Sequence, residues 1–369
     1  MNILIVTSLA SVSTANYLIC ALKNTASKVL VCSDQPSPLS DISASGAVDV
    51  NQVCIQNSFA PDIVLFIEGG TMRLFPTGLE HMSCLTAWYG IDTHTNYSKH
   101  LHIGRLFDVT FIAQKEFVER LRQDGLRQVH WLPLACAPDI YPAMDLYRNY
   151  DVAYVGSTNS AVHPVRHALL AAVRNVFPKV FLGTASPQEM GRIYAQSKIV
   201  FNKSINNDVN MRYFEAMGAG ALLLTDRAID NGVEELFTVG LHYLEYQDEQ
   251  SLLTQIQELL SNPERCRRIA DTARRNVLKN HTYKHRAEQL LNLVQQSRKH
   301  SVPRPEDGFP VFIALNLLDA AVACAGRALA TSSGSVFDKL IGRVAGLMLA
   351  GLAVVIGILE KLRILFRRI

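Results

Sequence analysis

Charge is scarce in this chain, and so are the patterns that announce a redox cofactor, a metal or a secreted framework. Only 19% of the 369 residues are charged against 49% hydrophobic, which excludes a disordered or low-complexity protein and leaves enough apolar side chain for a large core. The formal net charge of +3 is too small to argue for a nucleic-acid partner. The seven cysteines, at positions 20, 32, 54, 84, 136, 266 and 324, are odd in number and never form CxxC. Neither a disulfide framework nor a zinc ribbon is expected, and a reducing compartment is. There is no GxGxxG, P-loop, HExxH or GxSxG, so dehydrogenases, NTPases, zincins and that type of hydrolase have little support. His163 with His167, and His281 with His285, have i, i+4 spacing but no third ligand, and read as ordinary helix residues. At the N-terminus the apolar run Ile3-Leu4-Ile5-Val6 follows no basic segment and is too short for a secretory signal.

What is present is a rhythm. Short continuous apolar runs at 3–6, 28–31, 63–67, 109–112 and 129–132 alternate with helical spacing, as at 15–23 and 116–124. Runs of that kind suit strands buried on both faces of a parallel sheet, and their alternation with helices implies a doubly wound α/β unit. The pattern restarts after Pro142, with a first strand expected in 150–157, ending in a tight loop, and further strands at 180–183, 199–202 and 221–225. Helices are expected at 164–176, 187–196, 211–217, 250–260 and 263–280. The fold class is therefore α/β, with two Rossmann-like doubly wound domains, 1–145 and 146–296, facing a cleft.

The most informative stretch runs from Ile199 to Gly220. A buried strand enters a polar loop, Asn202-Lys203-Ser204-Ile205-Asn206-Asn207-Asp208, and a short helix carrying Arg212 and Glu215 closes on Gly218-Ala219-Gly220. A helix N-terminus after a strand end offers free N–H groups to an anion, and a Glu in its first turns can accept two sugar hydroxyls. That chemistry suits a nucleotide-sugar. The competing reading makes Glu215 and Asp208 helix caps, with Arg212 as their ion-pair partner.

Arg212-Tyr213-Phe214-Glu215-Ala216-Met217-Gly218-Ala219-Gly220-Ala221-Leu222-Leu223-Leu224-Thr225-Asp226, followed by Glu234-Glu235-Leu236-Phe237, resembles the C-terminal domain of GT-B glycosyltransferases of group 1. The nearest likeness is to the CgeB-like spore-maturation branch. Asp151-Val152-Ala153-Tyr154-Val155-Gly156-Ser157 with Arg166, His281-Thr282-Tyr283-Lys284-His285-Arg286-Ala287, and in the first half Trp88-Tyr89-Gly90-Ile91-Asp92-Thr93-His94 and Trp131-Leu132-Pro133-Leu134-Ala135, fit the same family. The resemblance covers residues 1–296. It implies that Glu215 holds the donor's ribose hydroxyls, that Gly156 and Ser157 lie near the diphosphate, and that Arg166 or Lys203 stabilises the departing diphosphate without a metal or cofactor. Relatives often carry a second Glu eight positions before the ribose Glu. Here that position is Asn207, with Asp208 one residue on, so either these two take over sugar recognition or the enzyme has drifted in donor, stereochemistry or activity. Asp92 is the candidate base on an acceptor hydroxyl and His94 a candidate contact to the transferred sugar. Loop residues bonded to backbone are the alternative. Lys99, His100, His102 and Arg105 form a candidate cluster for an anionic acceptor, or else a solvated face.

Ten basic and five acidic residues lie from residue 297 on, leaving 26 and 28 in the first 296; the basic excess sits in the tail. Residues 297–310 read as a linker. Residues 311–326 and the uncharged run 344–359, with Lys361, Arg363, Arg367 and Arg368 after it, suit a helical hairpin in one leaflet or a monotopic anchor, with a span or a soluble hairpin as alternatives. The expected protein is a cytoplasmic glycosyltransferase tethered to the inner face of a membrane through 311–369. It moves a sugar from a nucleotide-sugar to a glycan or lipid-linked acceptor, binds no nucleic acid, and has homo-oligomerisation open. A non-catalytic scaffold and a nucleotide-sugar epimerase are the alternatives.

Overall fold

Burial on both faces explains the strands. In β1 (Asn2–Thr7), β2 (Lys28–Ser33), β5 (Ile63–Ile67) and β7 (Leu85–Gly90) the side chains alternate between two helical layers, and β5, Ile-Val-Leu-Phe-Ile, is buried throughout. Such runs form where helices cover both sides of a parallel sheet. The structure, a computed structural model, describes residues 1–9, 14–69, 72–141 and 147–299. With β3 (Ile42–Ser43), β8 (Val109–Ile112) and β9 (Val129–Trp131) these strands make a seven-stranded sheet in the order β3-β2-β1-β5-β7-β8-β9. β1 pairs in parallel with β2 on one side, Ile3 opposite Val29, and with β5 on the other, Ile3 opposite Ile63. A small parallel pair, β4 (Gly46–Asp49) with β6 (Leu74–Thr77), has no counterpart in the sequence reading. The helices of this half are α1 (Thr14–Thr25), α2 (Val50–Gln56), α3 (Thr93–Gly104) and α4 (Glu116–Gln123).

The second sheet is five-stranded: β10 (Tyr150–Val155), β11 (Val180–Gly183), β12 (Ser197–Asn202), β13 (Leu222–Asp226) and β14 (Tyr243–Tyr246), ordered β11-β10-β12-β13-β14. Every pairing is parallel. The chain steps from β10 to β11 on one side and returns to β12 on the other, which opens a crevice beyond the carboxyl ends of β10 and β12. Its helices are α5 (Pro164–Val176), α6 (Pro187–Ala195), α7 (Met211–Gly218), α8 (Val233–Leu236), α9 (Glu249–Ser261) and α10 (Pro263–Asn280).

The last helix, α11 (Tyr283–Gln296), departs from the expected partition. It follows the second sheet in sequence but packs on α1 of the first, where the Tyr17 and Tyr283 rings lie 5.4 Å apart. The buried Arg286 guanidinium decides this, donating from Nε to the carbonyls of Pro133 and Leu134 at 2.8 and 3.3 Å. The described residues belong to one compact unit, Met1–Val302. The expected linker beyond residue 299 and the apolar segments of 311–369 lie outside the described residues. Among the described residues no helix is long and apolar enough to cross a membrane.

Candidate functional site

The carboxyl end of β10 turns at Gly156, whose φ of +150° is one that L side chains rarely adopt. A Cβ there would come within 2.8 Å of the Tyr154 hydroxyl and 3.0 Å of Arg212 Nη2. Only glycine lets the backbone pass this crowded point. Ser157 follows, and the loop enters α5 through Pro164, with Arg166 in the first turn. Arg166 is 7% exposed and spends Nη2 on the Lys203 carbonyl at 2.9 Å. Its Nε is buried without a hydrogen-bond partner, and burial lowers its pKa. A buried donor left unpaired carries a desolvation penalty that an anionic ligand would remove.

After β12 the chain makes a polar loop and enters α7. Asn210 caps this helix by accepting from the Arg212 N–H at 3.1 Å. Arg212 lines the cleft, but its donors are committed within the protein: Nη2 to Val155 O at 2.7 Å, Nη1 to Asn202 Oδ1 at 2.6 Å, and Nε to the Tyr194 hydroxyl at 3.2 Å. It also lies 4.5 Å over the Tyr154 ring. Arg212 therefore ties α7 to the ends of β10 and β12. One turn on, Glu215 is 4% exposed. Its Oε1 accepts from the Tyr141 hydroxyl at 2.7 Å, and Oε2 accepts no hydrogen bond from the described residues. Burial raises its pKa, against the pull of Tyr141 and Arg212.

The first sheet supplies the facing wall. Asp92 follows β7 at the cap position of α3, yet its side chain makes no capping bond. Asp92 is exposed in the cleft, and the protein around it together with the Glu68 carboxylate pushes its pKa up to about 6. Glu68 sits beneath, 3% exposed, accepting the Ile91 and Asp92 N–H groups on Oε2 at 2.5 and 3.0 Å and facing His100 Nε2 from Oε1 at 3.3 Å. Burial would raise the Glu68 pKa, but His100 and the two amides hold it down to about 2. His94 Nδ1 is buried without a partner. Gln114 joins the walls, accepting from the Thr93 N–H at 3.2 Å and donating to Asp208 Oδ1 at 3.0 Å. Asp208 is 7% exposed, and burial raises its pKa. Beside it Glu116 Oε2 is buried and unpaired, and burial pushes that carboxyl up to about 7.

One cleft of about 400 Å³ thus gathers Asp92, His94, Gly156, Ser157, Arg166, Asp208, Arg212 and Glu215. Of the ten catalytic and donor-binding candidates expected from sequence, Lys203 and Asn207 are not among the residues lining it. Lys203 Nζ pairs with Asp226 Oδ2 at 2.8 Å, at the end of β13, so its charge is answered locally; of the two arginines lining the cleft, Arg166 is the one with an unpaired donor. Asn207 has φ +67° and is spent on the loop: its amide donates to Ile229 O at 2.6 Å and accepts the Ile229 N–H at 2.9 Å. That reversal turns the next residue, Asp208, toward the cleft. The Lys99–Arg105 cluster does not gather on one surface either. Lys99 and His100 are buried, His102 bonds Ser98 O, and Arg105 bonds Asp124 O. Among the described residues no group of three His, Cys, Asp or Glu side chains can hold a metal ion. His167 bonds Thr158 O and His285 the Thr282 hydroxyl. Tyr141, Gln114, Glu68 and Glu116 carried no motif in the sequence, because their roles come from long-range contacts.

Residues 146–292 match the model of a family described as glycosyl transferase-like. No curated protein matches the chain. Among solved structures, Anabaena HepE in complex with UDP and glucose is similar at TM-score 0.61 and 13% identity, covering 80% of this chain and 99% of that one. Sucrose-phosphate synthase from Thermosynechococcus elongatus is similar at TM-score 0.58 and 12% identity, covering 80% and 98%. A putative UDP-N-acetylglucosamine 2-epimerase from Listeria monocytogenes is similar at TM-score 0.51 and 13% identity, covering 80% and 96%. At these identities the likeness shows the fold: two parallel α/β sheets facing a cleft, the GT-B architecture, with the glycosyl transferase-like match falling on the half that carries Gly156, Arg166 and Glu215.

Proposed function

We propose that the protein is a metal-independent glycosyltransferase that transfers a sugar from a nucleotide-sugar to a glycan or lipid-linked acceptor. The observation that carries this is the meeting, in one cleft, of an acceptor-only carboxylate oxygen on Glu215, an unpaired buried guanidinium N–H on Arg166, and the Asp92–His94 loop from the opposite wall. Glu215 Oε2 accepts the ribose hydroxyls. The diphosphate lies against Gly156, Ser157 and Arg166, whose cationic charge grows in value as the leaving group gains charge. His94 Nδ1 and Asp208 contact the transferred sugar.

Asp92, with its pKa near 6, is mostly ionised at neutral pH and takes the acceptor hydroxyl proton as the oxygen bonds to the anomeric carbon and the bond to the diphosphate breaks. Retention follows instead if the acceptor enters on the diphosphate's own side. The leaving phosphate oxygen then takes the proton and Asp92 orients the sugar. The anomeric signal of the product by NMR reads which occurs.

The complexes of HepE with UDP and with UDP-glucose make a uridine donor and a hexosyl group the first choice to test. The sequence motifs support the CgeB-like branch. The apolar segments and terminal basic cluster of 311–369 support a tether to the inner face of a membrane. The test is calorimetric titration of the full-length chain with UDP-, GDP-, ADP-, CMP- and dTDP-sugars beside Glu215→Ala. Binding of one nucleotide class, lost in the variant, supports the reading. No binding to a folded chain sinks it in favour of a non-catalytic scaffold. Sugar interconversion on the nucleotide without any acceptor would instead identify an epimerase.

A further inference from the structure

The second sheet has two edges, and the cleft uses only one. At the other, the starts of four parallel strands line a recess of about 800 Å³: Lys179 precedes β11, Arg148 precedes β10, Lys198 lies at the start of β12, and Gly220 precedes β13. A six-residue strand spans about 20 Å, so β10 holds this recess roughly that far from Gly156. The junction of α9 and α10 closes it with an apolar wall including Leu259, Leu260 and Pro263 and a charged rim of Arg267 and Asp271.

The charges do not balance. Lys198 is answered by Asp151 at 2.7 Å, but Arg148, Lys179 and Arg267 form no ion pair among the described residues. Arg148 is half-buried and donates only to neutral carbonyls, Ser197 O at 2.6 Å and Gly220 O at 2.7 Å. These fix its plane without neutralising it. Burial lowers its pKa, Cys266 and Asp271 pull it partly back, and Arg267 adds the smallest push downward. Asp271 is the one carboxylate in the lining. The 18-residue helix α10 begins in the recess, adding the positive end of its dipole. Arg148 is the partly dehydrated charge, and Lys179 and Arg267 add like charge from the exposed rim, so an anion seated among them would answer all three. Guanidinium and ammonium groups set around a concave surface suit phosphate oxygens.

We propose that this recess is a second ligand site, distinct from the sugar-donor cleft, that takes a phosphate group of a free phosphorylated compound or of an anionic lipid. Its apolar wall accommodates the body to which the phosphate is attached. Lys179 and Arg267 are exposed and their side chains form no hydrogen bond or ion pair with the described residues, so they are the residues to reverse.

The full-length chain and its Lys179→Glu/Arg267→Glu variant are titrated with inorganic pyrophosphate by calorimetry. They are also sedimented with phosphatidylcholine vesicles containing phosphatidylglycerol, at the lipid concentration that binds half of the wild type. Any pyrophosphate bound in the donor cleft contributes equally to both proteins, so the difference reads the recess. A tenfold or greater weakening for pyrophosphate alone assigns a free phosphorylated ligand. The same loss for vesicles alone assigns a lipid headgroup. Unchanged binding of both overturns the proposal. So does an equal weakening in Lys279→Glu/Lys284→Glu, which carries the same change of net charge elsewhere. Thermal melting checks the fold, and Lys179→Ala/Arg267→Ala, with a smaller weakening expected, stands in if the reversed variant melts early.

Discussion

The two walls of the cleft hold their polar groups in different ways. On the second-sheet wall nearly every donor is engaged: Arg212 bonds three partners, Asn202 bonds Arg212 and Thr225, and Asp226 takes Lys203 and Ser204. What remains open there is specific, namely Arg166 Nε and Glu215 Oε2. On the first-sheet side two acids are pushed toward neutral pKa, Asp92 in the cleft at about 6 and Glu116 outside its lining at about 7, beside the unpaired His94 Nδ1, while His100 holds Glu68 low. A wall built of satisfied bonds is rigid and selects a ligand by shape. A wall of crowded acids is suited to accept or release a proton near neutral pH. On the proposed function, the difference assigns donor binding mainly to the second sheet and proton transfer to Asp92 on the first.

The division has consequences that break it or sharpen it. Glu215→Ala should weaken donor binding and lower kcat/KM by roughly 100- to 1,000-fold, since two charge-assisted bonds to hydroxyls are lost. Tyr141→Phe, which frees the other oxygen, should cost far less, and titration of both variants with the donor checks the ranking. Arg212→Lys should act on stability before activity. A lysine cannot reproduce the planar fork, and urea unfolding should show a loss of about 3 kcal/mol. A stable variant with impaired donor binding would instead make Arg212 a direct ligand contact.

Asp92→Asn should leave donor binding within about twofold while lowering kcat by about 100-fold, the usual range for a general base. The pH profile supplies the sign. Asp92 acts when ionised, so kcat/KM should rise with pH through about 6, and this limb should vanish in Asp92→Asn. The smallest effect is the most discriminating. Crowding and the Glu68 charge both raise the Asp92 pKa, so Glu68→Gln should move the limb toward lower pH by less than about one unit. A shift to higher pH would mean that the lost bonds to the Ile91 and Asp92 N–H groups outweigh the lost charge.

Much of this architecture was legible in sequence because parallel strands buried on both faces must be apolar throughout. The runs 63–67 and 109–112 coincide with β5 and β8, and 180–183 with β11. Short, half-polar elements were not legible. β4 and β6 pair across 28 residues with a proline in one strand, and α11 reads as part of the second half until Arg286 is seen to bond Pro133 and Leu134. At the site, Gly156 and Glu215 stood out by position after a strand and within a helix. Lys203 and Asn207 stood out equally, and only Asp226 and Ile229 reveal that their side chains are already engaged.

Sequence alone determined the alternation of buried strands and helices, the restart at the second sheet, and the strand–loop–helix that carries Arg212 and Glu215, because each is a local pattern of polarity and turn chemistry. Tertiary structure decided which charges remain free. An ion pair such as Lys203–Asp226, a bridge such as Gln114 between Thr93 and Asp208, or an unanswered cation such as Arg148 depends on residues far apart in the chain meeting where water is scarce. There the free energy of a polar group is set by its partner and not by its place in the sequence.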